Sequence, residues 1–454
     1  MTYEESLAYL HGLLVGRPPA PQPYTPVKLE RMWHLCGLLG HPERSFPAVL
    51  VAGTKGKGST AAMIAGMTQA AGYRVGLYTK PHLVDVRERV RINGELIERD
   101  AFAALVAEIQ TAIDRGAEGP GWPPTYFEVA AAVAFLHFTR TALDLAVVEV
   151  GIGGRLDATN VVHPRVSVIT TIGYDHTDVL GGRLRQIAAE DAGIIRPSGC
   201  VVTVPQPPAA AQVIRDAAAS QGAVLIRVGR EIRYRTRRVS LAGTRMTVRG
   251  RRQIYRDLCV PLLGRHQALN AAAAIGAVEA LAPEFVTSEA AVRTGLATLR
   301  WPARIEVVRL DPTVIVDVAH NAVSFQALRA VLDETFPGRR MVLVLGVIGG
   351  KDLAGIARII APRAAVVIAT RPHDTRAIPP DDVAAAVRPW VREVHIDEEP
   401  VDAIEHALAL AGPEDLICAT GSFHVAGPIR AHLTAASSDR AGQAASGGPR
   451  ARAG

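Results

Sequence analysis

Short apolar runs and longer helical segments take turns along this chain. From residue 47 to about 200 the runs PAVLVAG, RVGLYT, LAVVEVG and VSVITTIG are brief and rich in β-branched residues, with helical stretches between them. Continuous apolarity in short strands separated by helices is the signature of a parallel sheet covered on both faces. The stretch from 200 to 262 is richer in strand: GAVLIRVG is followed by two basic alternating runs about the turn LAGT. An alanine-rich helix is expected from about Gln267 to Leu281. After RWPARIEVV a second alternating series begins, with TVIVDV, MVLVLG, AVVIAT, EVHID and DLICATG as its strands. The pattern predicts an α/β protein of two domains joined near residues 296 to 304. The first, 1–298, has a mostly parallel sheet; the second, 299–436, has a Rossmann-like alternation; the small, polar, arginine-rich remainder, 437–454, is expected to be disordered.

The segment AGTKGKGSTAAM, Ala52 to Met63, joins a strand to a helix. Such a loop aims backbone N–H groups and the positive end of a helix dipole at one point, where phosphate oxygens fit. It is not a strict Walker A motif: Val51 stands where the first glycine would be, and Gly58 separates Lys57 from Ser59. Its context still marks Gly53, Thr54, Lys55, Gly56, Lys57, Gly58, Ser59 and Thr60 as the nucleotide site of a P-loop-type ATPase domain, against the alternative of an incidental glycine turn. Lys57 is placed to reach the β- and γ-phosphates, and Ser59 or Thr60 to face Mg²⁺. Two further segments end strands at the same expected sheet edge. VVEVGIGGRLDATN puts Glu149 in a buried run, where a carboxylate is costly unless it is paired or binds metal; an ion pair with Arg155 is the alternative. TTIGYDHTDVLG brings Asp175, His176 and Asp178, for which capping is the alternative. Ligands bind at the carboxyl ends of strands in open α/β sheets, so Glu149, His176 and the loop are expected to converge.

Composition narrows the classes. With 48% hydrophobic and 21% charged residues over 454 positions, the chain is an ordinary globular protein large enough for two cores. It has no apolar stretch of about 20 residues, and MTYEESLAYLHGLL is acidic where a secretory signal would be basic, so a cytoplasmic protein without a membrane span is expected. Cys36, Cys200, Cys259 and Cys418 lack ligand-like spacing and are expected as thiols. The net charge of +6 is concentrated in RTRRVSLAGTRMTVRGRRQIYR and in the tail, and no nucleic-acid-binding signature accompanies it; a solvated basic face is expected. Only five of the 50 basic residues are lysines, namely Lys28, Lys55, Lys57, Lys80 and Lys351. Where a chain writes nearly every cation as arginine, the remaining lysines mark places that want a compact ammonium.

Ten motifs, in order from about residue 50 to 430, resemble the folylpolyglutamate synthase and dihydrofolate synthase family of the Mur ligase superfamily: GTKGKGS, PHLVDVRERVRING, TYFE, EVGIGGRLDATN, DHTDVLG, AGII, GRHQALNAAAA, WPARIE, DVAHN and TGSFHVAG. The resemblance implies an ATP- and Mg²⁺-dependent amide ligase. A carboxylate of dihydropteroate or folate takes the γ-phosphate of ATP as an acyl phosphate, and the amine of L-glutamate then displaces phosphate. By resemblance Glu149 ligates Mg²⁺ beside Ser59, and His176 sits at a second metal position that Asp191 would share. Gln267 and Asn270 would contact adenine, while Arg304 and Asp317 would reach phosphate and ribose from the domain junction. His320 and Ser422 would line the place where acyl phosphate meets glutamate, so that Lys57, His176, Arg304 and His320 form the implied catalytic set. Phe127, Glu128, Asp157 and the loop from His82 to Arg89 would face the pterin substrate. A monomer is implied. A place in a helix's first turn for Asn270 and a helix cap for Ser422 are the alternatives.

Two departures from the family fall on its metal site. The serine that the family has before PHL, a magnesium contact, is Lys80 here, and the lysine of its EKAGI, which is carbamylated there, is Asp191. An ammonium cannot ligate Mg²⁺. Lys80 is therefore expected to stand in for one metal's positive charge or to pair with Asp191, the two substitutions compensating one another. A milder change, the missing acid before Lys351, weakens any nucleotide role for that residue. Two other functions stay open on the sequence: a paralogous ligase for another acceptor or amino acid, and a nucleotide-binding protein that has lost ligation.

Overall fold

The computed structural model describes residues 1–15, 27–116 and 122–446, with backbone alone at 15, 27–28 and 436–446. The chain forms two compact units: Met1–Arg238 with Gly243–Pro261 and Arg265–Arg300, and Val239–Ala242 with Leu262–Gly264 and Trp301–Gly454.

The first unit is built on β1 (Ala48–Ala52), β2 (Val75–Tyr78), β3 (Val90–Ile92), β4 (Glu95–Leu96), β5 (Leu145–Glu149), β6 (Pro164–Ile169), β7 (Cys200–Thr203) and β8 (Val224–Arg227). Their order in the sheet is β4-β3-β2-β5-β1-β6-β7-β8. From β2 to β8 the neighbours run parallel, and β3 and β4 add an antiparallel edge. All five residues of β1 are fully buried, as its unbroken apolar run requires of a strand covered on both faces. The basic alternating runs become β9 (Arg233–Ser240), β10 (Gly243–Arg249) and β11 (Ile254–Val260), a separate three-stranded sheet. On it Arg233, Arg235 and Arg237 are exposed in alternation with partly buried residues, a solvated basic face.

The second unit contains β12 (Glu306–Leu310), β13 (Thr313–Val316), β14 (Met341–Leu345), β15 (Val366–Ala369), β16 (Glu393–Ile396) and β17 (Leu416–Thr420). The order is β12-β13-β17-β14-β15-β16, parallel except for the antiparallel β12. The last helix, Phe423–Ser446, runs into the expected tail, whose residues 447–454 lie outside those described. No helix among the described residues is long and apolar enough to cross a membrane. The four cysteines are thiols, outside any disulfide.

Behind β1 the helix Lys57–Ala70 is buried on almost every side, through Ala61, Ala62, Met63, Ile64, Ala65 and Met67. It packs on the helices Arg265–Leu281 and Glu289–Ala297. The second crossing is made at glycines: a Cβ added at Gly66 would lie 2.9 Å from the carbonyl oxygen of Gly295. Backbone thus meets backbone, and this fixes the helix that starts after the Gly53–Gly56 loop. Gly295→Ala should overpack the crossing and destabilise the protein by about 1–3 kcal/mol. Denaturant unfolding would show it as a lowered midpoint at constant slope, and an unchanged midpoint would mean that the helices can move apart freely.

Candidate active site

β1 ends between β5 and β6, so the loop after it is delivered to the middle of the sheet's carboxyl edge. The chain leaves through Gly53 at φ 122° and enters the helix through Gly56 at φ 90°, both in the left-handed region that favours glycine. The loop is fastened on its β6 side. The N–H groups of Thr54 and Lys55 donate to the Thr171 carbonyl at 2.9 and 3.1 Å. The Thr54 hydroxyl donates to the Gly173 carbonyl at 3.1 Å and accepts the Gly173 N–H at 3.0 Å. Lys57 folds back so that Nζ donates to the Gly53 carbonyl at 2.6 Å, and Lys55 Nζ pairs with Asp175 at 3.0 Å. The first amides of a helix have no acceptor within it. Here they open beneath a glycine loop, with no acid in the helix's first turn and Ser59 and Thr60 buried against it. That is a cradle for an anion.

On the other side of β1 stands Glu149, paired in register with Val51 and 5% exposed. Its Oε2 accepts the Lys80 N–H at 3.0 Å, whereas Arg155, the partner weighed for it, pairs with Glu190 at 2.6 Å. Lys80 Nζ lies 3.2 Å from Asp157 Oδ1, with both side chains nearly buried. Asp157 also accepts the N–H of Gly151 and Thr159, each at 3.0 Å, and the Thr159 hydroxyl at 2.6 Å. Burial alone would raise its pKa, but the Lys80 charge and the Thr159 donors outweigh burial and hold the carboxyl below its ordinary value.

Asp191 belongs to the phosphate loop. Its Oδ1 accepts the Gly53 N–H at 3.2 Å, and its Oδ2 is buried without a hydrogen-bond partner. Burial pushes its pKa up to about 6, against the lowering by the Lys57 charge and the Gly53 amide. The expected Lys80–Asp191 pair is therefore not formed: Lys80 is bound to Asp157. The reason is topological. Lys80 follows β2, which β5 separates from β1, and the turn after β5 intercepts the ammonium. Asp191, on a short stem from the helix Leu184–Ala192, reaches the loop's first amide instead.

Other expected residues take several kinds of place. His176 has φ 49° and precedes the short helix Thr177–Leu180; its N–H donates to Asp175 Oδ1 at 3.2 Å. Asn270 lies in the second turn of the helix Arg265–Leu281, bonded to Gln267 at 3.0 Å, and a Cβ on Gly56 would collide with its side chain, so it stands against the loop. Arg89 is buried, donates to His82 Nδ1 at 2.9 Å and lies over the Tyr126 ring at 5.2 Å. Next to Tyr126, Phe127 is 52% exposed. The structure gives Glu128 a different employment: its carboxylate is buried in a pair with Arg31 at 2.7 Å and caps its own helix through the Thr125 N–H and hydroxyl at 2.6 and 2.8 Å. Among the described residues no three His, Cys, Asp or Glu side chains gather closely enough to hold a metal ion by themselves.

In the second unit Arg304 is flanked by Ala303 and Ile305, at φ 53° and 51°, and its guanidinium lies over the Phe423 ring at 5.2 Å. The His320 ring is 6.4 Å from the same ring, and its Nδ1 is 2.9 Å from the Val318 carbonyl. Asp317 is buried at the end of β13 and accepts the N–H of Ile305 at 3.0 Å and of Ala319 at 2.7 Å. Its burial raises its pKa, against the pull of those amides and of Arg304. Ser422 is buried and its hydroxyl accepts the His424 N–H at 3.1 Å, so it caps the last helix as the alternative reading held. Arg304, His320 and Phe423 thus form one cluster at the carboxyl ends of β13 and β17. Sequence reasoning missed Thr171, Gly173 and Phe423: the first two work through backbone, and nothing in the motif marks the Phe423 ring as the floor for a cation.

Two family models match the chain, the Mur ligase middle domain over residues 51–278 and the Mur ligase glutamate ligase domain over 303–423. The dihydrofolate synthase/folylpolyglutamate synthase of Bacillus subtilis is 33% identical over 435 residues, which cover 95% of this chain and 99% of that one. The chain belongs to the folylpolyglutamate synthase/dihydrofolate synthase family. The Mycobacterium tuberculosis enzyme of this family is 37% identical over 400 residues, covering 84% and 82% of the two chains. Among solved structures, M. tuberculosis folylpolyglutamate synthase complexed with ADP superposes with a TM-score of 0.87 at 34% identity, covering 95% of this chain and 99% of that one. Escherichia coli FolC in complex with DHPP and ADP gives 0.83 at 31% identity, covering 97% and 98%.

Asp191 offers a test of this family site without ligands. A carboxylate whose folded pKa is raised makes the folded state the better proton binder between the unfolded value and its own. Stability from Asp191 is therefore full below about 4 and is lost as pH rises to about 6. Asp191→Asn, which keeps an acceptor for Gly53, should be more stable than the parent at pH 8 by about 2–3 kcal/mol and should flatten that slope. Equal melting temperatures at pH 8 would mean that the Asp191 carboxylate is better solvated than its burial indicates.

Proposed function

We infer that the chain joins L-glutamate to dihydropteroate, to folate or to both, driving amide formation with ATP through an acyl phosphate. The fastened cradle from Gly53 to Thr60, in a chain of this family, carries the reading. A carboxylate is a poor electrophile until it is phosphorylated, so the site must hold a triphosphate and neutralise the charge that develops as the γ-phosphoryl leaves. The loop amides do this from fixed positions. Lys57, which donates to the Gly53 carbonyl, exchanges that bond for a phosphate oxygen.

Mg²⁺ fits the donors for one ion. Ser59 and Glu149 offer hard oxygen, and Mg²⁺ takes one or two carboxylates with phosphate and water rather than an all-protein cage. When bound it neutralises phosphate charge. His176 and Asp191 do not join Glu149 in a second cluster, and Asp191 acts through the loop. Asn270 and Gln267 flank the loop on the nucleotide side, and His82, Arg89 and Phe127 are assigned to the pterin side.

In the second unit, a carbonyl can only accept, so His320 Nδ1 carries the proton that faces Val318. His320 is assigned to the glutamate side of the reaction. Arg304, whose guanidinium lies 5.2 Å over the Phe423 ring, is the cation of this second-unit cluster. A cytoplasmic monomer is part of this reading.

Phosphate release from ATP should require both L-glutamate and a pteroate or folate acceptor. Lys57→Ala should cut turnover roughly 10²-fold or more with the fold intact. Release that ignores either substrate would replace ligation by simple nucleotide hydrolysis, and turnover within a few-fold of the parent would remove the loop from the chemistry. Because Asp191 has no amine to carbamylate, rates in bicarbonate-free and bicarbonate-supplemented buffer should agree; stimulation by bicarbonate would point to a carbamate elsewhere.

A further inference from the structure

Three of the chain's five lysines, Lys55, Lys57 and Lys80, lie along one carboxyl edge of the first sheet, in a protein that otherwise uses arginine. Lys55 and Lys57 belong to the phosphate loop. Lys80 does not, and its setting is the most constructed of the three. Its backbone N–H holds the Glu149 carboxylate, while its side chain, 8% exposed, carries the ammonium to Asp157.

Asp157 does not depend on that ammonium for partners. It already accepts the Gly151 amide, the Thr159 amide and the Thr159 hydroxyl. Buried ion pairs are weak devices for stability, since neutral side chains of similar size usually do as well. The pair therefore reads as a tether that aims a cation. The turn after β5 is tight around it: a Cβ on Gly151 would stand 2.9 Å from Asp157 Oδ2 and 3.0 Å from Lys80 Nζ, so a side chain there would push on the pair. Glu149 is thus bound to the residue whose ammonium lies beside this same turn. A second metal ion on Glu149 would share this turn with the Lys80 ammonium, and the described residues gather no set of three His, Cys, Asp or Glu ligands to offset that charge.

We propose that the Lys80 ammonium is a built-in cation of the phosphoryl-transfer site, tethered by Asp157 where a second metal ion would otherwise neutralise the moving phosphate, so that the enzyme works with one Mg²⁺. The proposal rests on the assignment of the Gly53–Thr60 loop to phosphate. In transfer, Lys80 supplies a point charge that needs no loading from solution, and Glu149 remains available to the single ion that arrives with the nucleotide.

The test counts ions and then removes the charge. With Mn²⁺ in place of Mg²⁺ and saturating β,γ-methylene ATP, electron paramagnetic resonance should find one bound Mn²⁺ per chain; two per chain would overturn the proposal. Lys80→Met and the double variant Lys80→Met with Asp157→Asn should each lose about 10²-fold in kcat while KM for ATP stays within a few-fold. Thermal melting confirms that the double variant, which has no buried charge left alone, is folded. If it recovers turnover to within about five-fold of the parent, the pair is only structural and the cation has no part in transfer. Lys57→Ala separates the two assignments: normal turnover in that variant overturns the phosphate loop itself, whereas a defect there with an active double variant overturns only the role of Lys80.

Discussion

The arrangement of the first unit depends on how the loop after β1 is fastened to the chain beyond β6. Thr171 gives one carbonyl to two consecutive amides, and Thr54 and Gly173 exchange hydrogen bonds in both directions. A flexible glycine loop would have to be ordered by each incoming nucleotide, and that ordering would subtract from affinity and from charge stabilisation alike. Fastened this way, the loop becomes a fixed reference. Asp191 is placed beneath its first amide, Asn270 against Gly56 and Glu149 across β1.

Much of this was legible. The length and β-branched content of the apolar runs placed the strands, because a strand buried on both faces has no polar face to show. The loop was legible in spite of its irregular spacing, since strand, glycines and helix start specify a phosphate site more than any fixed count does. Partner choice was not legible. Lys80 and Asp157 are 77 residues apart, and their meeting depends on β5 lying between β2 and β1, which no local pattern records. The same holds for Glu128: its motif pointed to a substrate, yet Arg31, 97 residues away, takes its carboxylate. Polarity patterns report whether a group is buried; they are silent on which neighbour satisfies it.

Asp157 and Asp191 show how far that silence extends. Both are acids buried near the same sheet edge, and burial acts on both in the same direction. Four donors around one of them reverse the effect, while the other keeps a single amide and an oxygen with no partner. Net charge in such a site follows from donor supply rather than from the count of carboxylates.

The scarcity of lysine has a consequence for reagents. Acylating compounds attack amines and leave guanidinium groups alone, because arginine stays protonated. On most proteins they label a scattered surface. Here the lysine side chains described are Lys55, Lys57, Lys80 and Lys351, and the first three stand along the strand edge that carries the Gly53–Thr60 loop. Composition alone thus confines lysine acylation among the described side chains to four positions, three of them along this edge, with Lys55 23% exposed and Lys80 8%.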